Sequence, residues 1–285
     1  PLPSSGGLVI AQVLNILEDY PLDRLNNFEG QHILIEAMRR GYNDRAIHMG
    51  DEDFVEVPVS KLLSRAYAKK RSANINLSTA TKSYTMPSVT SISEEGEETT
   101  HFSIIDRHGN RVSATLSINT IFGSGFVAGN TGVLLNNHIN DFALTPNSPN
   151  IYGLVGNTKN SIEPGKRPLS SMSPTFVEDD RGVLVIGTPG GSRIISMVIL
   201  GILEYLNESK PNLQNIVSKS RLHHQYLPDQ IFVEPEGFSK KWIQAMEAKG
   251  HKVVVAKRKW GNMQTVFFNK KTDSHEIAND PRGLK

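Results

Sequence analysis

The chain has 285 residues, with 31 Lys and Arg against 29 Asp and Glu, and no cysteine. That length suffices for one large or two modest domains with a real core, and the lack of thiols excludes disulfides, thiolate catalysis and cysteine metal sites. The net charge is only +2. Basic residues are scattered and form no stripe interleaved with aromatics, so nucleic acid is not an expected partner.

The chain opens at Pro1 without an initiator Met or a signal-like region, as expected of a chain with more sequence upstream. Pro1 to Gly7 reads as a loop feeding a helix whose apolar residues Leu8, Val9, Val13, Leu14, Ile16 and Leu17 recur at near-helical spacing and stop before Pro21. A second helix is predicted from about Gly30 to Ile47, with Ile33, Leu34, Ala37, Met38 and Tyr42 as its core stripe. A third is predicted over Lys61 to Asn74, capped by Ser60. From Leu77 to Glu98 the sequence is rich in Ser, Thr and Glu and reads as mobile linker. A hairpin follows. Phe102 and Ile104 alternate with His101 and Ser103, and Val112, Ala114, Leu116 and Ile118 with Ser113, Thr115, Ser117 and Asn119, around a turn at Asp106 to Asn110. With the turn centred on His108, Ile105 falls opposite Arg111 and Thr99 opposite Ser117. Ile121 to Asn130 is glycine-rich loop, Gly132 to His138 a short strand, and Pro146 to Asn160 a surface loop or lid. Lys166 to Pro174 is extended and polar. Thr175 to Val177 pairs with Val183 to Gly187. No apolar run is longer than that of Val183 to Ile186, far too short to cross a bilayer. A largely apolar helix over Ile194 to Asn207 follows Pro189-Gly190-Gly191. Beyond it, Ile216 to Ser220 continues a helix, and Ile231 to Val233, Val253 to Val255 and Thr265 to Phe268 are strands. Ser239 to Lys249 is a helix. His223 and His224 are expected to be structural. The nine histidines show no metal-ligand spacing, so no metal or other cofactor is expected.

One stretch concentrates chemistry. The acidic run Ser93 to Glu98 leads directly into Thr99-Thr100-His101 at a strand start. A cut before Thr99 would give one residue both a hydroxyl and an α-amine. With a pKa near ~8, that amine is the general base for its own hydroxyl. A plain loop followed by a strand of β-formers fits the same residues. The strand end at Gly190-Gly191 leaves backbone N–H groups at a helix start, suited to an oxyanion or carboxylate; a plain tight turn fits there too. Asn137, Asp141, Ser170 and Ser171 supply acceptors and hydroxyls. Together these make an acyl-transfer site without Cys or catalytic His.

The motifs resemble those of γ-glutamyltransferase, or glutathione hydrolase, of the N-terminal nucleophile hydrolases. They are Pro1 to Gly7, Thr99 to His101, Leu134-Leu135-Asn136-Asn137 before Asp141, Tyr152 to Gly156, Lys166 to Thr175 and Pro189 to Arg193. The resemblance covers almost the whole chain. It implies an α+β fold, a four-layer αββα sandwich of two stacked antiparallel sheets. It implies self-cleavage between Glu98 and Thr99, so that residues 1–98 end a large subunit and 99–285 form the small catalytic one, paired as a heterodimer with an upstream large-subunit portion outside this chain. By the same resemblance Thr99 is the nucleophile, and Ser117, where the family usually has Thr, supports it. Asn119 and Asp141 bind the α-amino group of the γ-glutamyl donor. His138 stands where a Glu or Gln usually shares that task, a departure bearing on substrate choice. Ser170 and Ser171 contact the α-carboxylate, and Gly190 and Gly191 form the oxyanion hole. Pro146 to Asn157 matches the lid. The family's upstream carboxylate-gripping Arg has no match here. The implied partners are γ-glutamyl small molecules with amine or peptide acceptors, and the implied location is periplasmic or extracellular. A related acylase acting on glutaryl-cephalosporins or poly-γ-glutamate is the alternative, followed by a non-catalytic binding homologue.

Overall fold

A computed structural model describes residues 2–86, 98–143, 151, 154 and 157–283, with only the backbone at Glu98. In chain order the helices and strands are α1 Gly6–Leu17, α2 Phe28–His48, α3 Val59–Leu62, α4 Arg65–Ser72, β1 Glu98–Ile105, β2 Arg111–Asn119, β3 Thr175–Glu178, β4 Gly182–Gly187, α5 Arg193–Asn207, α6 Leu213–Ser218, β5 Leu222–His223, β6 Ile231–Val233, α7 Lys240–Ala248, β7 Val253–Val255, β8 Gln264–Asn269 and β9 Ser274–Asn279. They form two compact units. One contains Pro1–Glu95, Ile139–Ser170 and Ser220–Arg258, the other Gly96–His138, Ser171–Lys219 and Lys259–Lys285.

In the first unit, α1 buries Val9, Ile10, Val13, Ile16 and Leu17. It packs closely on α2, where a Cβ on Gly41 would stand 3.1 Å from both Val9 and Val13. Asn27 caps α2 by accepting from the Gly30 N–H at 2.8 Å. The expected stripe of α2 is buried, but so are Glu36, Arg39, Arg40, Asp44 and Arg45. The helix predicted over Lys61 to Asn74 is instead two helices. Ser64 accepts from the Tyr67 N–H at 3.2 Å and starts α4 afresh, and Ser60 is not a cap. β5, β6 and β7 form a small sheet, β6 running antiparallel to β5 and parallel to β7.

Residues 77–86 of the expected linker take a defined course. The Ala80 N–H donates to Lys249 O at 2.7 Å, and Ser83 is buried, donating through its hydroxyl to Tyr226 O at 2.7 Å. Ser83 also accepts from Arg39 at 2.7 Å and donates its N–H to Asp229 at 2.8 Å. Residues 87–97 lie outside the described set.

The second unit stacks two antiparallel sheets. The β1–β2 hairpin has the expected register, Thr99 opposite Ser117 and Ile105 opposite Arg111, with a shift between Glu98 and Thr99. The other sheet runs β3-β4-β8-β9. Strand β4 is buried at every position. One of its faces meets α5, where a Cβ on Gly201 would stand 2.6 Å from Ile186. The other meets the hairpin, whose polar side chains point inward: Ser103 donates to Gln264 O at 3.1 Å and Ser113 to Ile186 O at 3.4 Å. The hairpin's outer face carries Phe102, Ile104, Val112 and Leu116, all exposed. Gly132 to His138 is not a strand. A lone bridge joins Val127 to Leu134, and a 3₁₀ turn spans His138–Asp141. β9 is a polar edge strand whose one buried residue is Ala278.

Candidate active site

Thr99 opens β1 just beyond the irregularity in the ladder. Its hydroxyl donates to Ser117 Oγ at 3.1 Å. Ser117 Oγ also accepts from the Asn119 N–H at 2.8 Å. That second bond bends the end of β2, where Asn119 is buried with φ of +79°. Asn is among the few side chains that tolerate this left-handed conformation. Asn119 Nδ2 donates to Asn137 O at 3.1 Å, and the Thr120 N–H to Asn137 Oδ1 at 3.2 Å. His138 Nε2 lies 3.0 Å from Ser117 O. A carbonyl only accepts, so Nε2 carries a proton.

β4 delivers the second part. After Gly187 the chain turns through Pro189, Gly190 and Gly191 into α5. Gly190 has φ of +140° and Gly191 of +54°, and a Cβ on Gly190 would stand 2.5 Å from Met197 Cε. Glycine is required at 190 and favoured at 191. The turn closes with the Arg193 N–H on Gly190 O at 3.0 Å and the Ile194 N–H on Gly191 O at 3.2 Å. Among the described residues nothing accepts from the Gly190 and Gly191 N–H groups. Thr188 Oγ1 pins the loop, donating to Pro189 O at 2.9 Å and accepting from the Asn262 N–H at 3.1 Å. Ser113 meets Ile186 and the His101 ring meets Gly187. Two residues further towards the start of β1 is Thr99, and beyond Gly187 comes the glycine loop, so both run to the same end of this sheet stack. Ser171 is buried in the same unit, and its carbonyl accepts from Ser173 at 2.8 Å.

Asp141 and Ser170 belong to the first unit. Ser170 O accepts from the Ser5 N–H at 2.8 Å and the Ser5 hydroxyl at 2.7 Å, and Arg45 Nε donates to Ser5 Oγ at 2.7 Å. Burial lowers the Arg45 pKa to about 10 against the opposing pull of Tyr42 and Asp141. The Asp141 carbonyl accepts from Asn160 Nδ2 at 2.7 Å. Arg45 thus supports two expected site segments, and sequence reading passed over it because it falls among the many charges of α2. The lid over Pro146 to Asn157 lies outside the described residues except at 151, 154 and 157. Asn157 Nδ2 donates to Ala46 O at 2.9 Å and also to Ile47 O. The side chain of Glu98 is likewise outside.

One buried group among the described residues, His32, Glu36 and His251, has ligand atoms close enough for a metal. Hydrogen bonds account for it. Arg39 faces His251 Nδ1 at 3.3 Å, His251 Nε2 meets His32 Nδ1 at 2.8 Å, and His32 Nε2 meets Asn76 O at 2.8 Å. Each ring accepts at Nδ1 and donates at Nε2. Glu36 is held by Arg39 at 3.1 Å and Arg40 at 2.6 Å. Burial alone would raise its pKa, but the two guanidiniums outweigh that and hold it at about 2. Two buried guanidiniums beside three donors suit an ion network better than a metal.

Residues 1–285 match the family model described as gamma-glutamyltranspeptidase. The glutathione hydrolase proenzyme of Escherichia coli (strain K12) is 41% identical over 100% of this chain and 49% of its own length. The T380A mutant of Helicobacter pylori gamma-glutamyltranspeptidase superposes with a TM-score of 0.61 and 40% identity, over 65% of this chain and 100% of that one. A cephalosporin acylase from Bacillus halodurans matches with a TM-score of 0.81 and 25% identity, over 99% of this chain and 48% of that one. The chain spans about half the length of the curated relatives it matches. The α+β fold of stacked antiparallel sheets is shared with these structures.

Proposed function

The chain belongs to the gamma-glutamyltranspeptidase family, and from that premise we propose that it carries the catalytic end of an enzyme that transfers or hydrolyses γ-glutamyl groups from glutathione and similar amides. The observation that carries this is the Thr99–Ser117–Asn119 hydrogen-bond set at the start of β1, at the end of the sheet stack towards which the Gly190–Gly191 loop also runs. Cleavage of the Glu98–Thr99 bond frees the Thr99 α-amine. Thr99 Oγ1 then attacks the γ-carbonyl, its proton passing to the α-amine and on to the leaving nitrogen as the C–N bond breaks. The Gly190 and Gly191 amides hold the tetrahedral oxyanion, each such donor being worth about 3–4 kcal/mol in comparable sites. Water or an acceptor amine then releases the γ-glutamyl ester. Asn119, His138 and Asp141 take the donor's α-amine; with Nε2 donating to Ser117 O, His138 can accept from that amine only through an unprotonated Nδ1. Ser170 and Ser171 take its α-carboxylate.

On this reading residues 1–98 end the large subunit, 99–285 are the small one, and an upstream large-subunit portion completes a heterodimer. A Helicobacter pylori chain matched over its whole length corresponds to 65% of this one, about the share that residues 99–285 make up. None of the described helices is long and apolar enough to cross a membrane. On family resemblance alone we place the protein in the periplasm or outside the cell.

The test is N-terminal sequencing of the full-length protein together with an assay on a γ-glutamyl anilide. A new N-terminus at Thr99 and release of the aniline are expected. Thr99→Ala gives one uncut, inactive band, and a cut band from that variant refutes the proposal. Likeness to the cephalosporin acylase keeps an acylase as the second reading, and faster turnover of a glutaryl than a γ-glutamyl anilide would favour it.

A further inference from the structure

His101 is 5% exposed and two residues from Thr99 on the same strand face, yet the proposed reaction gives it no part. Its hydrogen bonds explain why. Ser103 Oγ spends its proton on Gln264 O at 3.1 Å, so it accepts from His101 Nε2 at 3.0 Å. Nε2 is therefore the protonated nitrogen, and Nδ1 accepts from Thr115 Oγ1 at 2.8 Å. One tautomer satisfies every group, leaving neither a lone pair nor a proton for chemistry. Burial also lowers the ring's pKa to about 4, so it stays uncharged at working pH.

What the ring does is fill space. A Cβ on Gly187 would stand 2.1 Å from its Cε1, 2.4 Å from Nδ1 and 2.6 Å from Nε2. The imidazole edge thus rests directly on the backbone of β4, three residues before Gly190. We propose that His101 is a positioning residue that sets the distance between the Thr99 strand and the Pro189–Gly191 loop, and with it the reach from Thr99 Oγ1 to a carbonyl held by those amides. Hydroxyls at Ser103 and Thr115 keep the ring upright, and glycine at 187 admits it. This rests on the reading that Thr99 is the nucleophile.

The experiment compares His101→Ala, Gly187→Ala and the double variant in the full-length protein. It reads self-cleavage on a denaturing gel, kcat and KM on a γ-glutamyl anilide, and thermal melting. A misplacement of about 1 Å costs on the order of a hundredfold in rate. His101→Ala is therefore expected to lower kcat and the cleavage rate about tenfold or more, with KM changed less than about twofold. Gly187→Ala should be worse, and the double variant should regain about tenfold over it, because the methyl enters the space the ring has left. Wild-type kcat and cleavage in His101→Ala overturn the proposal. So does a loss confined to KM, or a folded double variant no better than folded Gly187→Ala. If Gly187→Ala does not fold, His101→Ala decides alone. A wild type that self-cleaves but ignores γ-glutamyl anilides refutes the substrate reading instead, and slower cleavage in His101→Ala still supports the positioning role.

Discussion

Ser117→Ala removes one oxygen and with it the hydrogen bonds from Thr99 Oγ1 at 3.1 Å and from the Asn119 N–H at 2.8 Å. The two losses differ in kind. Asn119 is 1% exposed, so its amide loses this acceptor where water does not reach. An orphaned buried donor costs about 1–3 kcal/mol. The half-buried Thr99 hydroxyl has access to water and adds little. A loss of about 2 kcal/mol lowers the melting temperature by about 4–8 °C in a domain of this size. The kinetic effect is separate: without its acceptor the Thr99 oxygen samples other rotamers, and self-cleavage and turnover fall by about tenfold to a hundredfold. Ser117→Thr keeps the hydroxyl and restores both. Melting, gel-followed cleavage and γ-glutamyl anilide turnover on the full-length protein measure the two effects. A Ser117→Ala protein that melts, cleaves and turns over like wild type refutes the reasoning.

Acid should destabilise the fold early. Burial pushes His101 and His224 down to about 4 and His251 to about 3. Below pH 6.5 the unfolded chain binds protons that the folded one refuses. This contribution is complete above pH 6.5 and lost as pH falls towards 4, so melting temperatures should drop steadily across that window; a flat profile contradicts it. Glu36→Ala takes the carboxylate partner from buried Arg40 and leaves buried Arg39 with Asp229 alone, and should cost about 3–5 kcal/mol by urea unfolding, a loss under about 1 kcal/mol counting against the buried network.

The hairpin was legible because alternation of period two and a single turn leave one register that puts Thr99 opposite Ser117. The short strands Ile231–Val233 and Val253–Val255 were legible as brief runs of β-branched and aromatic residues between polar segments. Local competition hid other features. Ser64 reads as one more helical residue until its hydroxyl is seen on the Tyr67 N–H. β9 is charged and exposed as an edge strand often is, which is the opposite of a core signal. Gly132 to His138 has strand-forming residues but pairs at one bridge only. The buried charges of α2 could not be read because their partners are distant: Arg39 meets Asp229, 190 residues away. Residues 77–86 have linker composition, yet backbone and hydroxyl bonds to Tyr226, Asp229 and Lys249 fix them.

That last anchorage limits what scission can release. With Ser83 gripped from three sides and the Met86 N–H bonded to its carbonyl, a carboxyl terminus made by the proposed cleavage after Glu98 would lie twelve residues beyond Met86, a chain length that spans no more than about 40 Å. On that proposal the severed piece would travel with the molecule, and gentle purification should recover both polypeptides from one peak.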